Sequence, residues 1–216
     1  MKKQIQVPIA AALLLIVFAI AVVIYNEQQS KQLSETANKN ASLLIRDYSP
    51  TIGNEDAKVT IVEFFDPACE TCKAFYPFVK QIMANNPGRI KLVLRYTPFH
   101  KGSDYVVKLL EAARLQNKFW ETLEATYKSQ PSWAAHHNPQ PERLWMLLGG
   151  VGLDLKKARE DMESPTIAQR IQQDMADAQQ LQVTKTPGFF VNGKPLIQFG
   201  YEQLQQLVDT EIRKNY

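Results

Sequence analysis

The sequence predicts an α/β fold in which two strand-bearing halves flank a long helical insertion, and three stretches carry that prediction. Val59 to Phe65 and Ile90 to Tyr96 read as strands with a helix between them. Ser103 to about Gln182 repeats apolar residues at helical spacing. Phe189 to Gln198 reads as a hairpin, and Tyr201 to Lys214 as a closing helix. The predicted order is βαβ, helical insertion, ββα.

Length and composition agree with one globular unit carrying an insertion. The chain has 216 residues, of which 45% are hydrophobic and 22% charged, and a domain typically takes ~100–200 residues. The formal net charge of +3 is spread along the chain without a long Lys/Arg run. The sustained phosphate attraction that a nucleic-acid partner requires is therefore missing.

At the N-terminus, Lys2 and Lys3 precede an uncharged run from Val7 to Tyr25, VPIAAALLLIVFAIAVVIY. At ~1.5 Å rise per residue the run approaches the ~30 Å of a bilayer core. The lysines would stay in the cytoplasm and send the remainder outward. We expect residues 1–25 to form an uncleaved signal anchor. Ala19-Ile20-Ala21 meets the small-x-small cleavage rule but lies inside the apolar run instead of after it. Residues 26–42 begin with NEQQSKQLSETANKN, too polar to fold alone, and are expected to be a tether. The alternative is an oligomerising helix, but Leu33, Ala37 and Leu43 or Leu44 sustain no heptad seam. The globular part is expected over 43–216.

Within it, VTIVEFF at Val59 to Phe65 is a nearly continuous apolar, β-branched and aromatic run, as a strand covered on both faces requires. Asp66 and Pro67 end it. KAFYPFVKQIMANNPG then shows helical spacing until Asn86-Pro87-Gly88, and Ile90 to Tyr96 follows as the second strand. The insertion, about 103–182, is punctuated by SQPSW, HHNPQP and GGVG, which mark turns between about four helices. Phe189-Phe190-Val191, a turn at Asn192-Gly193 and Pro195 to Gln198 form the hairpin. Leu204, Leu207, Val208 and Ile212 share one face of the closing helix.

Both cysteines lie in FFDPACETC, Phe64 to Cys72. A closed metal site needs about four ligands, and beyond Cys69 and Cys72 the chain offers only His100 and the adjacent pair His136-His137. Copper(I), which two soft thiolates can hold, stays open at this point. A structural disulfide over two intervening residues would constrain little of the unfolded chain. A redox pair fits better. Cys69 would stand at a helix N-terminus, where free N–H groups and the helix dipole favour a thiolate. Cys72, one turn later, faces the same way and could resolve a mixed disulfide. Glu63, inside an apolar strand, is costly to bury ionised and should titrate high unless it reaches a sheet edge.

SPTIGNEDAKVTIVEFFDPACETC together with TPGFFVNGKPL at Thr186 to Leu196 resembles the DsbA-like branch of the thioredoxin superfamily, over most of residues 43–216. The resemblance implies a thioredoxin-like fold with a central mixed sheet and a thiol:disulfide oxidoreductase outside the cytoplasmic membrane of bacteria. It implies that Cys69 is the exposed nucleophile and Cys72 the resolving thiol. It also implies a cis Thr186-Pro187 bond beside the pair, with Thr186 backbone groups meeting an extended substrate segment. Glu63, six residues before the nucleophile, matches a buried acid that moves the proton of the resolving cysteine. No cofactor and no metal are implied. The expected partners are exported proteins bearing thiols, a membrane redox partner, and the membrane itself through residues 7–25. One departure bears on direction. Glu70 and Thr71 stand between the cysteines in place of the Pro-His of the strongest oxidants, and Glu70 places like charge beside a thiolate. That predicts a milder oxidant. A reductase or isomerase uses the same residues and usually gains from a dimeric cleft; a copper-binding or chaperone-like module without turnover is the reading from another class.

Overall fold

The structure is a computed structural model that describes residues 2–135 and 138–216, with side chains described from Leu14 onward. The expected His136-His137 pair lies outside the described residues. At the centre is a five-stranded mixed sheet in the order β1-β3-β2-β4-β5. Its core strand β2, Val59–Phe65, runs parallel to β3, Ile90–Tyr96, in register from Val59↔Ile90 to Phe65↔Tyr96. On its other side β2 pairs antiparallel with β4, Gly188–Val191. The apolar run of β2 is nearly continuous because both faces are covered: Ile61 and Phe65 face one core, Val62 and Phe64 the other.

The first core is closed by α2, Glu70–Asn85, and α8, Tyr201–Asn215, through Phe75, Val79, Ile82, Leu204, Val208 and Ile212. The opposite face is closed by Ala178 and Leu181 from the end of α7, Pro165–Gln180, with Leu44 and Ala37. On that face Arg95 of β3 is fully buried, bonded to Asp174 at 2.7 Å and Asp177 at 2.5 Å. Asp177 also takes Arg46 at 2.6 Å. Each buried charge is paired, the condition for tolerating ions in a core.

The insertion comprises α3, Ser103–Leu115; α4, Phe119–Trp133; a 3-10 turn, Pro141–Arg143; α5, Leu144–Leu147; α6, Leu155–Asp161; and α7. It has its own core of Val106, Leu109, Trp133, Leu144, Leu148 and Met162, which also takes in Ala68. The residue before Cys69 therefore packs against the insertion.

Four expectations differ from the structure. SQPSW is no turn: α4 continues through Pro131 and ends two residues later at Trp133, although proline there withdraws one N–H from the helical ladder. The hairpin partner β5 is short, Lys194–Pro195, and does not reach Gln198. A strand was not anticipated at Thr51–Gly53, β1, which pairs antiparallel with β3; its three residues are exposed and show no alternation. Gly53 is required there, with φ at +111° and a Cβ position 2.5 Å from the Ile90 carbonyl oxygen. The polar stretch expected to be a tether is helical as far as Lys39, within α1, Lys2–Lys39. The helix is held at this end because Ala37 is fully buried against the sheet face.

Among the described residues no helix is long and apolar enough to cross a membrane. Of the expected span Val7–Tyr25, only Leu14–Tyr25 falls within the described side chains, and that length alone reaches ~18 Å of helix. Its large apolar side chains are exposed, from Leu14 at 71% to Tyr25 at 63%.

Candidate active site

Strand β2 ends at Phe65 because Asp66 and Pro67 turn the chain into α2. Asp66 is fully buried and is bonded from four sides. It accepts from the Ala68 N–H at 2.8 Å, the His100 N–H at 2.8 Å and the Ser103 hydroxyl, and its Oδ2 lies 2.8 Å from His100 Nδ1. This hub fixes the three-residue approach to Cys69.

Cys69 caps α2 in extended conformation, so its sulfur turns back over the first helical turn and accepts the Cys72 N–H at 3.4 Å. The thiol also donates to the Thr186 carbonyl oxygen at 3.3 Å. Thr186-Pro187 is a cis peptide bond, and this contact places it against the outer cysteine. Both cysteines are free thiols, and both are buried: Cys69 is 6% exposed, not the exposed side chain expected, because it lies against the Thr186 backbone. The Cys72 thiol and the N–H groups of Cys72 and Thr71 stabilise a charge on Cys69, and its pKa is lowered to about 6 despite burial. Burial, the bond to Cys69 and the Glu63 carboxylate push Cys72 far the other way. One thiol of the pair is thus acidic and the other is held protonated.

Glu63 lies on the same β2 face as Ile61 and Phe65, toward α2, at 1% exposure. Desolvation first, and then the charge of Cys69, raise its pKa to about 8. Its Oε1 has no hydrogen-bond partner. The carboxyl is not an acid reaching the sheet edge; it is buried in the core strand beside the thiols. Glu70 and Thr71 form the exposed first turn of α2. The structure therefore gathers Cys69, Cys72, Glu63, Thr186 and Pro187 into one site. His100 belongs to the Asp66 hub. Among the described residues no group of three or more His, Cys, Asp or Glu could hold a metal ion.

Two residues at the site escaped sequence reasoning. Asp66 reads only as a strand terminator. Gln130 of α4 is 2% exposed and donates to the carbonyl oxygens of Pro67 at 3.0 Å and Cys69 at 3.1 Å. No sequence signal marks it, because it lies 61 residues from Cys69. The insertion thus reaches the redox loop from two sides.

A polarised dithiol at the start of a helix, on this sheet and beside a cis-proline, defines a thiol:disulfide oxidoreductase of thioredoxin-like architecture. The chain belongs to the thioredoxin family, whose pattern, described as Thioredoxin, matches residues 46–210, and within the superfamily it is a DsbA-like oxidoreductase. A thioredoxin-like oxidoreductase from Silicibacter pomeroyi superposes with a TM-score of 0.69 at 32% identity, covering 81% of this chain and 98% of that one. Oxidised BdbD from Bacillus subtilis gives a TM-score of 0.67 at 25% identity, covering 76% and 93%. Disulfide bond formation protein D of Bacillus subtilis is 26% identical over 181 residues, 76% of this chain and 77% of that protein. A Na(+)/H(+) antiporter NhaA of Herminiimonas arsenicoxydans is 30% identical over 144 residues, but this chain spans only 22% of its length.

Proposed function

We propose that the protein is a dithiol oxidase that introduces disulfides into exported proteins, with Cys69 as the exchanging sulfur. A substrate thiolate attacks Cys69 of the Cys69-Cys72 disulfide, forming a mixed disulfide and releasing Cys72, which takes up a proton. A second substrate thiolate then attacks the substrate sulfur and displaces the Cys69 thiolate. Two electrons pass to the enzyme dithiol, and a membrane partner must remove them to restore the disulfide. The observation that carries this direction is the acidity of Cys69. A thiol whose pKa is lowered to about 6 is a stable leaving group, so the reduced enzyme is the favoured product. Glu63, with a pKa near the working pH, is suited to exchange the Cys72 proton. The Thr186 backbone, beside Cys69, is the edge where an extended substrate would pair.

The exposed apolar helix from Leu14 to Tyr25 supports an anchor on the outer side of the bacterial inner membrane, with Lys2 and Lys3 in the cytoplasm. The test is the oxidation state of Cys69 and Cys72 in the cell, read by thiol trapping, together with Cys72→Ser. The oxidase reading expects a mainly oxidised pair and mixed disulfides accumulating on Cys69 in the variant. A pair held reduced would instead make the protein a reductase or isomerase.

A further inference from the structure

We infer that Gln130 is a positioning residue for Cys69, through which the helical insertion sets how stable the Cys69 thiolate is. This rests on the reading of Cys69 as the exchanging sulfur. The side-chain amide of Gln130 has two N–H groups, and both are used: one carbonyl precedes Cys69 by two residues and the other is its own. The Cys69 carbonyl oxygen also accepts the Lys73 N–H at 3.2 Å, the first helical bond of α2. Both of its lone pairs are therefore engaged, one by the helix it caps and one by the insertion. On the other side of the same loop, Asp66 is bonded to His100 and Ser103 at the entry to α3. The backbone from 66 to 69 is thus held between α3 and α4, and its orientation decides whether the Cys69 sulfur faces the N–H groups of the first turn of α2.

Removing the Gln130 donors has two effects of the same sign. Two buried carbonyls lose a partner, so the loop relaxes toward other donors and the cap geometry loosens. The carbonyl dipoles nearest the sulfur also lose the positive end that offsets them, and their oxygens disfavour a neighbouring negative charge. Weakening a cap contact of this kind is expected to lower the thiolate-to-thiol ratio about threefold to tenfold, a pKa rise of about half to one unit. The reduced form then loses its advantage by the same factor, and the enzyme becomes a weaker oxidant.

The experiment titrates ultraviolet thiolate absorbance and measures the equilibrium with glutathione for wild type, Gln130→Met and Leu123→Val, each in the full chain. Methionine keeps the length and removes both donors. Leu123→Val, on the same helix and fully buried, loosens packing without touching the loop carbonyls. The expected result is a raised Cys69 pKa and a threefold to tenfold shift toward the disulfide in Gln130→Met, with Leu123→Val unchanged in both. An acidic wild-type Cys69 with an unmoved pKa in Gln130→Met would overturn the inference and leave the reading of Cys69 standing. A wild-type Cys69 that is not acidic would overturn that reading itself. If Gln130→Met does not fold, the side-chain amide resonances of Gln130 in the wild type decide. They should titrate with Cys69 while those of the exposed Gln179 do not, and silent Gln130 resonances would sink the proposal.

Discussion

Replacing Glu63 by glutamine should stabilise the reduced protein, by an amount that grows with pH. Glu63 is buried in β2 with a pKa raised from 4.5 to about 8. In the unfolded chain the carboxyl ionises near its ordinary value. Between these two limits the unfolded state has lost its proton while the folded state still holds it. Stability conferred by such a group is complete below about 4.5 and is lost as pH rises toward 8. The full loss is at most about 5 kcal/mol, and between pH 5 and pH 7 it amounts to about 3 kcal/mol. Glutamine never ionises and carries no such penalty. The gap between Glu63→Gln and wild type should widen by about 1 kcal/mol or more per pH unit across this window, which is roughly 2–4 °C in Tm per kcal/mol for a domain of this size. Any misfit of the glutamine amide adds a constant offset and leaves the slope unchanged. Urea unfolding of both reduced proteins from pH 5 to pH 8 checks it. A gap that stays flat over that range would show that Glu63 is ionised in the fold and that burial does not govern it.

Glu70→His should lower the Cys69 pKa by less than about one unit, because it exchanges a like charge for a neutral or opposite one at the exposed start of α2; an unchanged or higher value in thiolate titration would show that the residues between the cysteines do not tune the pair. Arg95→Leu leaves Asp174 and Asp177 buried without their shared cation, at a cost of about 3–5 kcal/mol. Calorimetry should show a Tm lower by roughly 10 °C, and a Tm equal to wild type would mean the network is not held as described. Removing residues 1–25 should yield a soluble chain with the wild-type melting profile, since among the described residues the first side chain buried in the core is Ala37; aggregation or a broadened transition would refute it.

The strands at Val59–Phe65 and Ile90–Tyr96 were legible to the residue, since burial on both faces leaves a largely apolar run, interrupted by Glu63 in one and Lys91 and Arg95 in the other, that ends in Asp66 or in the loop after Tyr96. Strand β1 was not, because three exposed residues at a sheet edge carry no periodicity. The helix from Asn26 to Lys39 was hidden for a related reason: its polar surface gives no stripe, and only Ala37 is fully buried. At the site, Cys69 and Cys72 stood out by residue type and spacing and Glu63 as a carboxylate in an apolar strand, whereas Thr186-Pro187 was marked only by the resemblance to the DsbA-like branch. Asp66 and Gln130 did not, since each acts by satisfying backbone groups whose position depends on the folded path. A glutamine in an amphipathic helix reads as surface until its partners, here 63 and 61 residues away, are known.

The central claim is that the two thiols are split in acidity, with Cys69 as the exchanging sulfur. Its most direct test is the alkylation rate of each cysteine in the reduced protein as a function of pH, resolved by mass spectrometry. Cys69 should react with a midpoint near its pKa of about 6, while Cys72, buried and protonated, stays unmodified through neutral pH. Cys72 reacting first, or both thiols titrating together near the ~8.5 of a free cysteine, would contradict the account.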